Sequence, residues 1–382
     1  MKRKILIGVG VFFLAVILFL ILSPNYVLNA LLYQKAGIED YKIFHNREVK
    51  TGDHTEWKLD SLYNSYELTG DEEAVFNHYQ SVAFLIIKDQ KILFEKYWDG
   101  YDENSLSNSF SMAKSVISLM IGIAIDEGKI ESVNQKVVDV FPAFNTSEAN
   151  ANLTIKDVLT MSSGLNWDES YGSLYSTTTE AYYGKDIYNQ IVGLEVVEEP
   201  GKQFKYLSGN TQLLGLIIQS ATGELISNYA SEKIWKKIGA KNPALWSLDR
   251  ENGTEKAYCC FNSNARDFAR IGQLVLNNGI WDSTRIVSSD YILESTTPVN
   301  YLVDDEGKTV DFYGYQWWIM HYNNYEIPYA RGILGQYIFV LRDQNAIVVR
   351  LGHKRDEEQI GPHRKDAVKY LDIALNIIEK YE

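Results

Sequence analysis

The fold is expected to form around residues 109–128, which run SFSMAKSVISLMIGIAIDEG. Positions 116–125 are almost all apolar, and Gly128 ends the run. A helix that is apolar on every side is normally a buried one. This segment therefore predicts a central helix, with the rest of the domain packed around it.

Ser111 and Lys114 fall in the first turn of that helix, three residues apart and so on one face. The N-terminus of a helix has free N–H groups and a dipole that favours negative charge. A hydroxyl beside an amine at this position predicts an activated serine nucleophile. A Ser-x-x-Lys pair also arises by chance in a chain of this length, so the pair alone assigns no function.

Length and composition limit the classes of protein that are compatible with the chain. The 382 residues can form one large domain or two closely packed ones, and the net charge of −13 argues against a nucleic-acid partner. The six histidines are scattered and there is no Cys-x-x-Cys pair, so no metal site is expected. Cys259 and Cys260 are adjacent, and since neighbouring cysteines rarely meet with good geometry, we expect no disulfide.

The N-terminus carries a basic and then an apolar segment. Lys2, Arg3 and Lys4 precede an apolar run of 18 residues, Ile5 to Leu22, which as a helix covers roughly 27 Å. We therefore predict that residues 1–24 are a retained single-pass membrane anchor, with a cleaved signal peptide as the alternative. The basic flank places the remaining chain on the extracytoplasmic side of the cell membrane, or outside the cell if the segment is cleaved.

Beyond the anchor we predict a connector over residues 25–75 and one domain over residues 76–382. Residues 82–88 and 91–97 are apolar runs separated by Asp89-Gln90, which predicts a β-hairpin leading into the serine helix. Further helices are predicted at 154–161, 210–221, 225–238, 265–276 and 367–381, a long aromatic loop at 166–185, and strands at 312–320, 335–341 and 346–351. Strands at both ends of the domain predict an α+β fold: an antiparallel sheet built from both chain ends with flanking helices, a mainly helical subdomain beside it, and a cleft between the two.

Two further stretches carry candidate functional residues. Residues 204–210, FKYLSGN, place Tyr206 just before a predicted helix, and residues 330–336, ARGILGQ, lead into a predicted strand. Taken separately, a buried tyrosine and an ordinary strand entrance are the better explanations of the two stretches. Glycines in the second stretch would also let a ligand approach the strand backbone closely.

The order of the three motifs is more specific than any one of them. Ser-x-x-Lys, then Tyr-x-Ser-Gly-Asn, then Gly-Ile-x-Gly-Gln before a strand resembles the serine β-lactamase and penicillin-binding-protein superfamily. The most similar branch is the class C-like one that contains 6-aminohexanoate-dimer hydrolase and related esterases. The resemblance covers residues 70–380 and implies a β-lactamase/transpeptidase-like fold.

The resemblance also implies roles for particular residues. Ser111 would be the acylated nucleophile, Lys114 its neighbouring base and Tyr206 the proton shuttle. The backbone N–H groups of Ser111 and Ile333 would form the oxyanion hole. The reaction of this superfamily branch requires no metal and no organic cofactor.

Substrate contacts are implied for Tyr171, Ser208 and Gly332, and here the sequence departs from the family pattern. Ser208 replaces the asparagine of the Tyr-x-Asn element. No lysine or histidine stands immediately before Gly332-Ile333, so the cationic group that usually holds a substrate carboxylate is missing. Arg331 is adjacent, but the sequence leaves its direction on the strand open.

The predicted function is an extracytoplasmic serine hydrolase that forms an acyl-enzyme with an ester, a linear amide, a short amide oligomer or a D-amino peptide. Burial should disfavour the charged form of Lys114, and a Lys114 ammonium would in turn favour the tyrosinate form of Tyr206. The main alternative is a membrane-anchored penicillin-recognising receptor that is acylated but turns over poorly. A Ser-His-Asp hydrolase is a weaker alternative, because the chain has no Gly-x-Ser-x-Gly motif.

Overall fold

The structure is a computed structural model that describes residues 4–5, 7–8, 14, 18–19 and 21–381. The predicted anchor, residues 1–24, lies largely outside the described residues. Among those that are described, no helix is both long and apolar enough to cross a membrane.

Most strands come from the two ends of the chain, and most helices come from its middle. The described strands are β1 (Asn46–Val49), β2 (Lys58–Leu59), β3 (Ser81–Lys88), β4 (Lys91–Tyr97), β5 (Ser107–Asn108), β6 (Ala244–Ser247), β7 (Phe261–Ser263), β8 (Ile280–Trp281), β9 (Thr284–Arg285), β10 (Trp318–Tyr322), β11 (Tyr325–Gly332), β12 (Gln336–Leu341), β13 (Ala346–Gly352), β14 (Gln359–Ile360) and β15 (His363–Arg364). The described α-helices from residue 25 onward are α1 (Asn25–Tyr33), α2 (Gly70–His78), α3 (Ala113–Asp126), α4 (Val137–Val140), α5 (Ile155–Leu159), α6 (Thr177–Tyr183), α7 (Ile187–Val192), α8 (Ser208–Thr222), α9 (Ile226–Ala230), α10 (Ala265–Leu276), α11 (Ser289–Ser295) and α12 (Lys365–Glu379). Short 3₁₀ turns lie at Asp40–Lys42, Phe110–Met112, Pro142–Phe144, Asn150–Asn152 and Ile333–Gly335, and a π-helical turn at Ser231–Trp235.

The main sheet has seven strands in the order β10-β11-β12-β13-β3-β4-β2, antiparallel except for the short β2–β4 pair. β13 pairs with β3, with Val349 opposite Leu85, so the two ends of the chain meet in the middle of the sheet. This confirms the predicted α+β class and the sheet built from both chain ends. α10 packs on this sheet, where a side chain at Gly272 would collide with Ile347 and Ile338.

The predicted hairpin is confirmed as β3 and β4. Asp89 and Gln90 both have positive φ values, 50° and 61°. Two consecutive residues of this kind form the mirror-image turn whose twist matches that of the flanking strands.

The serine helix is also confirmed. α3 is buried from Ala113 through Ala124 and packs against α8 in the helical half of the molecule. At Gly122 a side chain would collide with the ring of Tyr291 in α11, so the glycine allows that helix to approach. Contacts on several faces of α3 thus confirm the central position that the apolar run predicts.

Several element boundaries differ from the prediction. The strand predicted at 312–320 begins only at Trp318, after Gln316 with a φ of 63°, and β11 was not predicted. The predicted long loop at 166–185 contains α6, which begins where the Ser176 hydroxyl accepts from the Thr179 N–H. α9 ends at Ala230, and the π-helical turn then occupies part of the segment predicted as one helix, 225–238.

The predicted connector, residues 25–75, is folded against the body of the protein. β1 pairs with β6 in a four-stranded sheet ordered β1-β6-β7-β5, and α1 packs on α6. The segment is polar and mixed in composition, so the few apolar residues that it buries do not stand out in the sequence. Among them are Val27, Ala30 and Val49.

The expectation of no disulfide is wrong, because Cys259 and Cys260 are bonded to each other. Cys260 adopts a φ of 66°, in the left-handed region that residues other than glycine rarely occupy. Both cysteines are buried, and Cys259 lies on the wall of the cavity described next.

Candidate active site

Ser111 lies at the point where the central helix meets a cavity. It is the middle residue of the 3₁₀ turn that leads into α3. From residue 107 to residue 124 every other position is buried, whereas Ser111 is half-buried. Ser111 lines a cavity of about 440 Å³, so its hydroxyl is the polar group that this helix presents to a ligand.

Lys114 is completely enclosed behind the serine. Its Nζ donates to the Ser208 hydroxyl at 3.1 Å and to the Tyr258 carbonyl at 2.9 Å. Burial lowers the pKa of Lys114 to about 7, and the negative charge of Glu169 limits that decrease. The amine therefore loses its proton near neutral pH, which agrees with the effect of burial expected from the sequence.

Tyr206 closes the group from another part of the chain. Its phenol shares a hydrogen bond with Ser111, and the Lys114 Nζ lies 5.4 Å from the centre of its ring. Burial raises the pKa of Tyr206, and this effect outweighs the hydrogen bond with Ser111, which lowers it. The phenol therefore stays protonated at neutral pH, and a neutral Lys114 provides no ammonium charge to favour its tyrosinate form.

Glu169, in the aromatic loop, was not identified from the sequence. Its carboxylate accepts from the Ser208 N–H at 2.6 Å, the Ser208 hydroxyl at 2.7 Å, the Trp167 indole at 2.8 Å and the Tyr171 hydroxyl at 2.6 Å. Ser208 thus connects Glu169 to Lys114 through its hydroxyl. The sequence signal for Glu169 is its position as a carboxylate in a loop rich in tyrosine and tryptophan. Glu169 is far from Lys114 in sequence, so no motif spacing connects the two residues.

The third predicted motif lies against the serine turn. A side chain at Gly332 would come within 2.3 Å of the Ser109 carbonyl, so only glycine lets β11 approach this turn. Ile333, the next residue, lines the same cavity as Ser111. The N–H of Ser111, second in its 3₁₀ turn, has no acceptor within that turn and is free for a ligand. The structure thus brings together the two residues predicted for the oxyanion hole, while Gly332 serves close packing.

The two remaining candidates occupy different surroundings. Tyr171 lines the cavity and is 53% exposed, with its hydroxyl donating to Glu169. The Arg331 guanidinium lies 3.3 Å from the centre of the Trp318 ring and donates to the Pro362 carbonyl at 2.9 Å. Trp318 in turn packs on Tyr206, so Arg331 supports the wall behind Tyr206. The Arg331 guanidinium is thus in contact with Trp318 and Pro362, and Arg331 is not among the residues that line the cavity.

A serine hydroxyl at a cavity, with a buried amine and a phenol beside it, is the arrangement of a serine acyl-transfer enzyme. The Beta-lactamase family model matches residues 72–372. The chain belongs to the beta-lactamase family of serine hydrolases.

One relative found by sequence and two solved structures agree with this assignment. The 6-aminohexanoate-dimer hydrolase of Paenarthrobacter ureafaciens is 26% identical over 309 residues, which cover 76% of this chain and 77% of the relative. A structure from Bacillus anthracis, named provisionally as a 6-aminohexanoate-dimer hydrolase, superimposes with a TM-score of 0.77 at 20% identity, covering 90% of this chain and 93% of that one. A family VIII carboxylesterase gives a TM-score of 0.61 at 16% identity, covering 82% and 99%. The last two likenesses concern the fold.

Proposed function

We propose that the protein hydrolyses an ester or linear amide through an acyl-enzyme on Ser111. One observation supports this most directly: a buried amine that is neutral above about pH 7 lies one turn from a half-buried serine at a cavity. A neutral amine accepts a proton, whereas a solvated lysine with a pKa of about 10.4 would not at this pH.

Acylation begins when Lys114 accepts the hydroxyl proton of Ser111. The Ser111 oxygen forms a bond to the substrate carbonyl carbon, and the N–H groups of Ser111 and Ile333 stabilise the negative oxygen of the tetrahedral intermediate. The bond to the leaving group then breaks. Tyr206, protonated and hydrogen-bonded to Ser111, donates its proton to the departing oxygen or nitrogen and is reprotonated from Lys114.

Deacylation reverses these proton transfers with water in place of the leaving group. Water attacks the acyl carbon and its proton passes to the same amine and phenol pair. As the bond to the Ser111 oxygen breaks, this pair returns the proton to that oxygen, which regenerates the free enzyme. The Glu169 carboxylate, held by hydrogen bonds from Ser208, Trp167 and Tyr171, keeps the surroundings of the amine constant through both steps.

The substrate scope is tested with purified protein against p-nitrophenyl esters, the 6-aminohexanoate dimer, D-alanyl peptides and a chromogenic cephalosporin. We expect turnover of at least one ester or linear amide and little turnover of the cephalosporin, since Arg331 is held by Trp318 and Pro362. Ser111→Ala should abolish turnover while the thermal unfolding temperature stays within a few degrees. Mass spectrometry of a stable Ser111 adduct without product would instead indicate a penicillin-recognising receptor.

We also propose that the catalytic domain acts on the extracytoplasmic side of the cell membrane. The basic residues at 2–4, followed by the apolar run at 5–22, support this orientation. The Cys259–Cys260 disulfide supports it too, since disulfides persist in oxidising compartments. Membrane fractionation with external protease digestion of intact cells tests the proposal, and protection of the domain until lysis would contradict it.

A further inference from the structure

One wall of the cavity comes from outside the region that the family model matches. Ala30, Gln34, Lys35 and Ala36 line the cavity that contains Ser111, whereas the family match begins at residue 72. The end of α1 and the residues just after it therefore belong to the site by position, although they precede the catalytic domain in sequence.

Specific contacts hold this wall in place. The Asn29 side-chain amide donates to the Tyr183 carbonyl at 3.1 Å. The Tyr33 and Tyr183 rings stack with their centroids 6.1 Å apart and their planes 10° apart. Val27 and Ala30 are buried. Since α6 carries Tyr183 and itself lines the cavity, α1 is fixed to a catalytic-domain wall.

The cavity surface is largely apolar and aromatic. The apolar and aromatic residues that line it include Ala36, Phe110, Tyr171, Tyr183, Tyr258 and Ile333. The hydroxyl oxygens of Tyr183 and Tyr258 are buried and have no hydrogen-bond partner among the described residues, and because they are closed to solvent a ligand in the cavity does not reach them.

Three other hydroxyl groups on the same surface have partners within the protein. The Thr179 hydroxyl donates to the Ser173 carbonyl at 2.7 Å, and the Thr178 hydroxyl donates to the Asp168 carbonyl at 2.8 Å. The Tyr182 hydroxyl donates to Asp40 at 2.7 Å. A ligand in this part of the cavity therefore gains more from apolar contact than from new hydrogen bonds.

We infer that residues 30–36 close a subsite for an unbranched apolar chain attached to the scissile ester or amide. The inference rests on the proposed function, because it takes Ser111 as the point of attack. Ala36, half-buried and on the wall, sets the depth of the subsite. The chain can belong to the acyl part or to the leaving group, and the two arms of the experiment separate these cases.

The experiment measures kcat/KM ratios within each protein preparation, so that the fraction of active enzyme cancels. One arm compares p-nitrophenyl hexanoate with p-nitrophenyl acetate, and the other compares hexyl acetate with ethyl acetate. Each buried methylene should raise kcat/KM roughly fourfold at most. We expect the wild-type ratio to exceed about tenfold in one arm, because several methylenes enter the subsite.

The variants Ala36→Leu and Ala36→Trp should lower that ratio progressively, with A36W bringing it close to one. Leu32→Trp is the matched control, because Leu32 lies four residues before Ala36 at the end of α1, is 71% exposed and is outside the cavity lining. L32W should keep the wild-type ratio. A36L adds little bulk and so keeps the measurement possible if A36W fails to fold.

A wild-type ratio near one in both arms would overturn the inference, as would A36L and A36W variants that slow the short and long substrates equally. Either result leaves the proposed function intact, since the acetate substrates are still hydrolysed. Absence of acetate, amide and peptide hydrolysis in the wild-type protein would overturn the proposed function, and the inference with it.

Discussion

Lys114 and Lys256 are two buried lysines whose pKa values are lowered to the same extent, but their surroundings differ. Burial lowers the pKa of each to about 7. Lys114 lies in a helical turn with Ser111 and contacts Ser208 beside the cavity. Lys256 donates to the Tyr182 carbonyl, and its Nζ lies 3.4 Å from the centre of the Phe44 ring.

The difference shows that a lowered pKa alone does not define a catalytic lysine. The carboxylates that act on Lys256 are Asp249 and Asp40, which raise its pKa against the effect of burial, and its nearest contacts are aromatic. Lys114 has in addition a serine hydroxyl, a phenol and an open cavity within reach. A base is useful only where a nucleophile and a substrate can meet it.

Lys114→Met tests the catalytic side of the comparison and should have the most severe consequence. Loss of the general base should reduce kcat of an ester substrate by about 10³-fold, within the range for such groups. Stopped assays with product quantification measure the residual rate. The matched variant Lys256→Met should stay within about threefold of wild type, well below that range. Equal losses in the two variants would contradict the assignment.

Tyr206→Phe removes the hydroxyl group while keeping the ring that packs on Trp318 and Tyr313. We expect kcat to fall by at least about 10²-fold, because the leaving group loses its proton donor. Steady-state kinetics on an amide and on an activated ester give the measurement. The loss should be smaller for the ester, whose leaving group needs less protonation. A loss below about threefold for both substrates would show that another group transfers the proton.

Glu169→Gln should change the pH dependence more than the maximal rate. Activity requires neutral Lys114, so it should rise with pH through about 7 in the wild type. The carboxylate raises the pKa of Lys114, so its loss should move this rising limb to lower pH. A kcat/KM profile from pH 5 to 9 measures the shift. Movement of the limb to higher pH would contradict the role given to Glu169.

The pH dependence of stability should be alike for the two lysines. A folded-state pKa of about 7 is below the unfolded value, so the unfolded chain binds more protons between about pH 7 and pH 10. The free energy of unfolding should therefore rise with pH in that interval, by at most about 1.4 kcal/mol per unit for each lysine.

Lys114→Met and Lys256→Met should each reduce that rise, as measured by urea unfolding at pH 7 and pH 9. The exposed Lys237 provides the control, since Lys237→Met should leave the slope unchanged. A slope that is unaffected in both buried variants would show that the amines are not held neutral in the folded state.

Much of the framework could be predicted because it depends on neighbouring residues. The apolar run after Ser111 predicts a buried helix, and the runs around Asp89-Gln90 predict a hairpin whose turn residues tolerate positive φ. Helix α10 forms over the predicted residues 265–276, with Asn264 capping its first turn. In each of these cases spacing along the chain is enough to decide the local structure.

Other properties depend on residues that are far apart in sequence. Glu169 meets Ser208 across 39 positions, and the cavity wall at residues 30–36 is held by contacts with Tyr183. The protonation of Tyr206 depends on how completely the fold removes it from water, a quantity that motif spacing does not contain.

Residue spacing thus establishes the serine helix, the amine on its face and the strands that continue the sheet. These features follow from the periodicity of apolar residues and from the residues in turns, both of which are set within a few positions of the chain. Folding in three dimensions establishes the dry surroundings of Lys114, the protonated state of Tyr206, the support of Arg331 by Trp318 and the closure of the cavity by α1. Burial and long-range packing control these properties, and both depend on which distant segments come into contact.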